Sequence, residues 1–203
     1  MESVMNEFID SLRNTSVIEF VAVGFGLTYL FLIMFKVRIG WLFAAVSTGI
    51  YIFLGLKNKL YIESMLQVFY FVMAFVGFTL WKTNKNETIQ IQKWTVSKHV
   101  KTIFAGSLLC FLLGFSFQKW TEQSDPYLDA FTTVFSLIAT FLTAKKVLSN
   151  WLYWVVIDMA LVVLYYSNNL VLTSYHYGLY VLLAFIGYMK WLKYYNSQKI
   201  KNG

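Results

Sequence analysis

The sequence predicts an all-α integral membrane protein of seven spanning helices, and three observations carry that prediction. The first is composition: 58% of residues are hydrophobic and 13% charged, with a mean hydropathy of +0.57, too little polar surface for a globule facing water. The second is that apolar stretches of roughly the 17–25 residues needed to cross a hydrocarbon core recur along the chain. The third is an internal repeat. Residues 41–81 overlie residues 151–191 at a constant offset of 110 with no gap, and 12 of the 41 pairs are identical, among them Trp41/Trp151, Ser64/Ser174, Tyr70/Tyr180, Gly77/Gly187 and Trp81/Trp191. Carried backwards, the offset also pairs Glu19 with Asp129, Phe31 with Phe141 and Lys36 with Lys146.

The spans are expected at Ser16–Phe35, Gly40–Leu56 and Ser64–Trp81, then near 102–118, 128–144, 149–166 and 170–192, each apolar nearly all round rather than along one stripe. Spans one to three form the first copy, about 17–81, and spans five to seven the second, about 127–191. Span four, a linker helix at about 101–118, has no counterpart. Three crossings alone would invert the second copy; a fourth restores its direction. The expectation is a single membrane domain over 1–203 with a 3+1+3 parallel pseudo-repeat, the copies related by an axis along the membrane normal. Ahead of span one, MESVMNEFIDSLRNTS has three acids against one Arg, unlike a cleaved signal peptide, and its apolar residues at helical spacing suggest a short interfacial helix. Ala-Phe-x-Gly recurs at Ala74–Gly77 and Ala184–Gly187, small residues that favour tight packing through close backbone approach.

The formal charge of +7 is a topology signal rather than a nucleic-acid footprint. Thirteen of the 17 basic residues fall in the loops at 36–38, 82–101 and 145–146 and in the tail from Lys190, which puts those segments in the cytoplasm and the N-terminus outside. With these loops assigned to orientation, no basic stripe remains for nucleic acid. The lone Cys110 allows no intrachain disulfide. His99, in a cytoplasmic loop, and His176, in the outer third of span seven, make no zinc site with it. Cofactors and metals are not expected. Nucleotide-cradling and hydrolytic motifs are absent from the sequence, and an enzyme is not expected.

Repeated halves in an apolar chain suggest a transporter that rocks about a midplane site. Span six carries the strongest candidate, for NWLYWVVID puts Trp151, Trp154 and Asp158 on one helix face. A mid-span carboxylate costs about 2.5–3.5 kcal/mol on insertion scales, so it points to function, with a structural bond to a neighbouring helix as the alternative. Trp154 faces Ala44 in the repeat comparison, so symmetry does not account for it; Trp151, paired with Trp41, also reads as an interfacial anchor. Span five adds a polar line that includes Asp129, Thr132, Thr133, Ser136, Thr140 and Thr143, with hydroxyls bonding back to their own helix as the alternative. Gln67 and Tyr70 share a face of span three, and their partners in span seven are Tyr177 and Tyr180. Substrate-binding candidates are therefore Trp154, Asp158, Trp151, Gln67, Thr133, Thr140, Tyr177 and Tyr70.

The run W41-L-F…Y51…N58-K-L-Y-I-E-S-M-L-Q67-V-F-Y70…G77…W81, followed by D-A-F-T-T and N150-W-L-Y-W154-V-V-I-D158…Y180…G187-Y-M-K-W191, resembles the PnuC family of bacterial nicotinamide riboside transporters. The W-x-x-W-x-x-x-[ND] pattern of span six is its most specific part. The resemblance implies a three-plus-one-plus-three fold akin to the sugar-transporting SWEETs, placement in the bacterial inner membrane, and uptake of nicotinamide riboside by facilitated diffusion with trapping by cytoplasmic phosphorylation. Thiamine, carried by relatives on this fold, is the alternative cargo. The partners expected are a cationic vitamin nucleoside, the lipid bilayer and further copies of the chain in a homo-oligomer, a trimer. The SWEETs' intramembrane prolines are missing, since Pro126 is the single proline, which puts proline-hinged gating in doubt.

A cysteine introduced by Lys201→Cys should resist impermeant thiol reagents in intact cells, on the basic asymmetry of the loops. Ready labelling would reverse the orientation.

Overall fold

The computed structural model of the chain describes residues 16–59, 61–82, 89–120, 125–168 and 171–202. In chain order the helices are α1 (Val17–Met34), α2 (Gly40–Lys57), α3 (Tyr61–Leu80), α4 (Val96–Trp120), α5 (Pro126–Ala144), α6 (Asn150–Ser167) and α7 (Val171–Asn202). Helices are what an apolar chain must form in hydrocarbon, because each backbone group then finds its partner within its own segment. By length and composition α1, α2, α4, α5 and α6 can cross a membrane, and α3 holds a shorter apolar run, Ser64–Leu80. The expected N-terminal interfacial helix lies outside the described residues.

Most helix limits fall within about three residues of the sequence expectation, and two depart further. α4 begins at Val96, six residues ahead of the expected 102, and so takes in His99, which the sequence reading had placed in a loop. α7 continues to Asn202, ten residues past the expected 192. Both corrections have one cause. Apolar content marks where a helix is in lipid, whereas the helical hydrogen bonds run on into polar sequence wherever nothing interrupts them.

The chain divides into two compact units, one up to Ile89 and the other from Gln90. In the first, α2 packs against both α1 and α3. Ser16 caps α1 by accepting from the Glu19 amide at 3.3 Å, and Ser47 Oγ of α2 donates to Ala22 O of α1 at 2.8 Å. After α1 the chain turns through Lys36 in the left-handed region, φ 60°, and Val37 N closes the turn on Leu32 O at 2.8 Å. Arg38 lies over the Phe78 ring at 3.7 Å and its Nε donates to Phe78 O at 2.6 Å, tying this turn to the end of α3.

The second unit repeats the plan and adds α4, which packs on α5, while α6 contacts both α5 and α7. Pro126 opens α5 at a first-turn position where its missing N–H costs nothing. The turn after α5 passes through Lys146 at φ 58°, with Val147 N bonded to Leu142 O at 3.0 Å. An extended segment ahead of α4 docks on this turn: Gln92 N donates to Lys146 O, and Leu148 N to Gln92 O, both at 2.8 Å. Gln198 of the α7 extension clamps the same segment, accepting from Ile91 N at 2.9 Å and donating to Ile91 O at 3.1 Å.

Within each unit the same knot joins the second and third helices of the repeat. Trp41 and Trp81 meet edge to face at 5.7 Å, and Trp151 and Trp191 at 5.6 Å; all four are at most 1% exposed. A Cβ on Gly77 would collide with the Trp41 indole, and one on Gly187 with that of Trp151. The small residues of Ala-Phe-x-Gly therefore admit an indole face rather than a neighbouring backbone. Gly187→Ala should destabilise the protein by about 1–3 kcal/mol through overpacking, read as a fall in thermal unfolding temperature. An unchanged unfolding temperature would mean the knot is not tightly packed.

Candidate functional site

The knot sets how α6 is rotated. On α6 the residues 151, 154, 158, 161 and 165 follow one another at three- and four-residue steps and form one stripe. With Trp151 held against Gly187 and Trp191 of α7, the stripe runs away from the knot along α6. Trp151 is 1% exposed, and its Nε1 has no hydrogen-bond partner among the described residues. The structure thus places it inside the helix packing, away from the interfacial anchoring that the sequence also allowed.

One turn on, Trp154 is half-buried and packs against a cluster of Cys110, Val134, Phe135, Ala139 and Ile157 contributed by α4, α5 and α6. Asp158, another turn on, is 6% exposed, and its side chain makes no hydrogen bond among the described residues. Tyr177 of α7 lies within electrostatic reach of it and of Tyr165. The Tyr165 and Tyr177 rings are stacked, 5.2 Å apart and 3° from parallel. Tyr180 adjoins Tyr177 at 6.1 Å, and His176 meets Tyr180 edge-on at 4.8 Å. The result is a buried acid within electrostatic reach of a stacked pair of phenols, with an indole one turn before it on α6. An acid beside aromatic faces can hold a flat cation with polar substituents.

Tyr165 was missed in the sequence. Its signal was available, seven residues beyond Asp158 on the same stripe, but a tyrosine near the end of an apolar span reads as an interfacial anchor until a stacked partner appears on the next helix.

The threonine line of α5 is mostly turned to its own helix. Thr132 Oγ1 donates to Asp129 O at 3.1 Å, Thr140 Oγ1 to Ser136 O at 2.8 Å and Thr143 Oγ1 to Ala139 O at 2.8 Å. Of the two site candidates there, Thr140 is buried with its proton committed, while Thr133 is half-buried and makes no hydrogen bond among the described residues. Thr143 also approaches Asn150 Oδ1 at 3.0 Å, and Asn150 Nδ2 donates to Val147 O at 2.7 Å. This fully buried asparagine at the start of α6, passed over in the sequence, fixes the α5–α6 turn.

His99 is the other correction of consequence. Nδ1 lies 3.0 Å from the Tyr153 hydroxyl and Nε2 3.0 Å from Ser149 Oγ, so both ring nitrogens bind α6 to the first turn of α4. Gln67 and Tyr70 belong to α3 of the first unit. Gln67 is half-buried, and Tyr70 lies within electrostatic reach of Tyr29, which in turn contacts the Trp41 ring at 5.4 Å.

Comparison with known proteins gives this arrangement a family. The family described as nicotinamide mononucleotide transporter matches residues 16–193. The chain belongs to that family. Among its relatives, "Nicotinamide riboside transporter PnuC" of Escherichia coli K12 is 25% identical over 179 residues, covering 75% of each chain. The protein of the same name from Neisseria mucosa is 26% identical over 174 residues, covering 75% of this chain and 63% of its own. A solved structure, "Crystal structure of the Vitamin B3 transporter PnuC", superposes with a TM-score of 0.72 over 95% of this chain and 88% of the other at 22% identity, and shares the fold. The seven-helix expectation drawn from the repeat agrees with that likeness.

Tyr165→Phe keeps the stacked ring and deletes one hydroxyl, so it should cost about 0.5–1.5 kcal/mol of stability. Tyr165→Ala opens a cavity and should cost about 3–5 kcal/mol. Thermal unfolding that ranks the two in the reverse order would mean that the hydroxyl, not the stack, holds the pair.

Proposed function

We propose that the protein carries nicotinamide riboside into the cell by facilitated diffusion. The observation that carries this reading is Asp158, a carboxylate buried on α6 without a hydrogen-bond partner among the described residues, one turn beyond Trp154 and within electrostatic reach of Tyr177 of the Tyr165/Tyr177 stack. A pyridinium cation answers that acid, and indole or phenol faces add about 0.5–2 kcal/mol each to its binding. The ribose and carboxamide find hydroxyl partners in the phenols and in Thr133. The names of the relatives support the same substrate.

The lining also argues for the riboside over its 5′-phosphate. From Pro126 to Met189 the sequence has Lys145 and Lys146 in the α5–α6 turn and no other Lys or Arg, so a phosphate at Asp158 would meet a carboxylate with no cation to offset it. Trp151 serves by fixing the rotation of α6. Trp154, Asp158, Tyr165 and Tyr177 are the contact residues in the second repeat.

The same proposal places the protein in the bacterial inner membrane as a trimer, with the N-terminus outside and the C-terminus cytoplasmic. One repeat rocks against the other with the substrate gradient as the driving force, and a cytoplasmic kinase traps the product. The chain itself needs no catalytic activity for this.

Titration of the purified protein with nicotinamide riboside, its 5′-phosphate, thiamine and riboflavin tests the reading, with tightest binding expected for the riboside. Preference for thiamine would reassign the cargo, and binding of none would remove the transport reading. Trp154→Ala should weaken riboside binding at least about fivefold. Asp158→Asn should weaken the cationic riboside more than its neutral reduced form, which separates charge from shape. Unchanged affinity in both folded variants would make the pair structural.

A further inference from the structure

A second apolar feature lies in the first unit. Ile18 of α1, Ala45, Val46, Gly49, Ile50 and Phe53 of α2, and Phe71 and Phe75 of α3 line an open groove of about 530 Å³ on the first unit. Val46, Phe53 and Phe75 are 43–57% exposed along it. Gly49 is the floor, and a Cβ there would meet nothing nearer than Phe71 at 3.6 Å. Packing therefore does not demand a glycine at this position. The glycine keeps space open.

The repeat shows that the residues shaping this space are particular to the first copy. The residue equivalent to Gly49 is Met159, whose side chain occupies the corresponding face of α6, and Phe53 and Phe71 are matched by Val163 and Val181. The stripe 46, 50, 53 on α2 continues at the next four-residue step to Lys57. That ammonium is exposed and stands in the last turn of the helix, one turn above Phe53. Its counterpart is Ser167, so the open glycine and the cation occur together in one repeat and neither residue recurs in the other. Glu19, the acid at this end of α1, lies within electrostatic reach of Tyr51.

We infer that this groove holds one acyl chain of an anionic phospholipid whose phosphate meets Lys57. Groove depth supplies apolar contact that a smooth helix face lacks, and the lysine at the level of the headgroups supplies charge preference. The lipid is drawn from the leaflet on the side where α2 ends.

Native mass spectrometry of the full-length protein, delipidated and then supplied with phosphatidylglycerol or with phosphatidylcholine of the same chain length, tests this. The expected result is one retained phosphatidylglycerol per chain in preference to phosphatidylcholine. Lys57→Gln, a surface change that leaves the groove intact, should reduce that preference about fivefold, the weight of one cation near a headgroup. Gly49→Met installs the side chain of the second repeat and should remove the retained lipid of either kind. Equal retention of the two lipids by the parent protein, or undiminished phosphatidylglycerol on a folded Gly49→Met, overturns the inference. So does a change of oligomeric state in Gly49→Met with lipid retention unaltered, which would give the groove to a second copy of the chain.

Discussion

The contact between a glycine and an indole, made twice, is the constraint on which the rest of this structure depends. Gly77 and Gly187 each present bare backbone to a buried tryptophan, and any side chain at either position would collide with the ring. Lipid gives helices no hydrophobic reason to associate, because its tails are as apolar as leucine, so close packing has to supply the attraction. An indole laid on a glycine and closed at its edge by a second tryptophan gives a large contact area and a single rotation. Once α6 is fixed to α7 in this way, the direction of every other residue on its stripe is fixed with it.

Conservation of the frame between the two repeats contrasts with divergence of what the frame displays. Trp41/Trp151, Gly77/Gly187 and Trp81/Trp191 are identical, whereas Trp154, Asp158, Tyr165 and Tyr177 stand where the first repeat has Ala44, Thr48, Gly55 and Gln67. Packing needs the same shapes in both copies, whereas the buried charge stands in one copy only. A carboxylate duplicated in the other copy would add a second desolvation cost and a like charge. The polar candidates sort by the same logic. Hydroxyls that return to their own helix, as at Thr132, Thr140 and Thr143, lower the cost of carrying threonine through lipid and leave little to offer a substrate. Asp158 has no such return path, because a carboxylate cannot donate to a helix carbonyl while it is ionised.

Much of this was legible in the sequence. Spans, repeat and unpaired fourth helix follow from hydropathy and a constant offset, because crossing a bilayer imposes length and composition on the chain itself. Asp158 and Trp154 were legible for a related reason: a charge in an apolar span and a tryptophan without a symmetry mate each break a pattern that the rest of the chain keeps. His99 was not, since its role is a bond from each ring nitrogen to α6, 50 and 54 residues away. Tyr165 was missed because its meaning lies in a stack with a residue on another helix.

The sequence by itself determined the number and order of the helices, their passage through lipid and which copy carries the acid. Tertiary structure alone decided that Trp151 is buried against α7 and Trp154 half-buried against the α4–α5–α6 cluster, although the two are three residues apart and chemically identical. The physical reason is that three residues on a helix are 300° of rotation, 60° short of a full turn. That difference turns one indole into the seam with α7 and the other toward α5, and only the positions of the neighbouring helices say which is which.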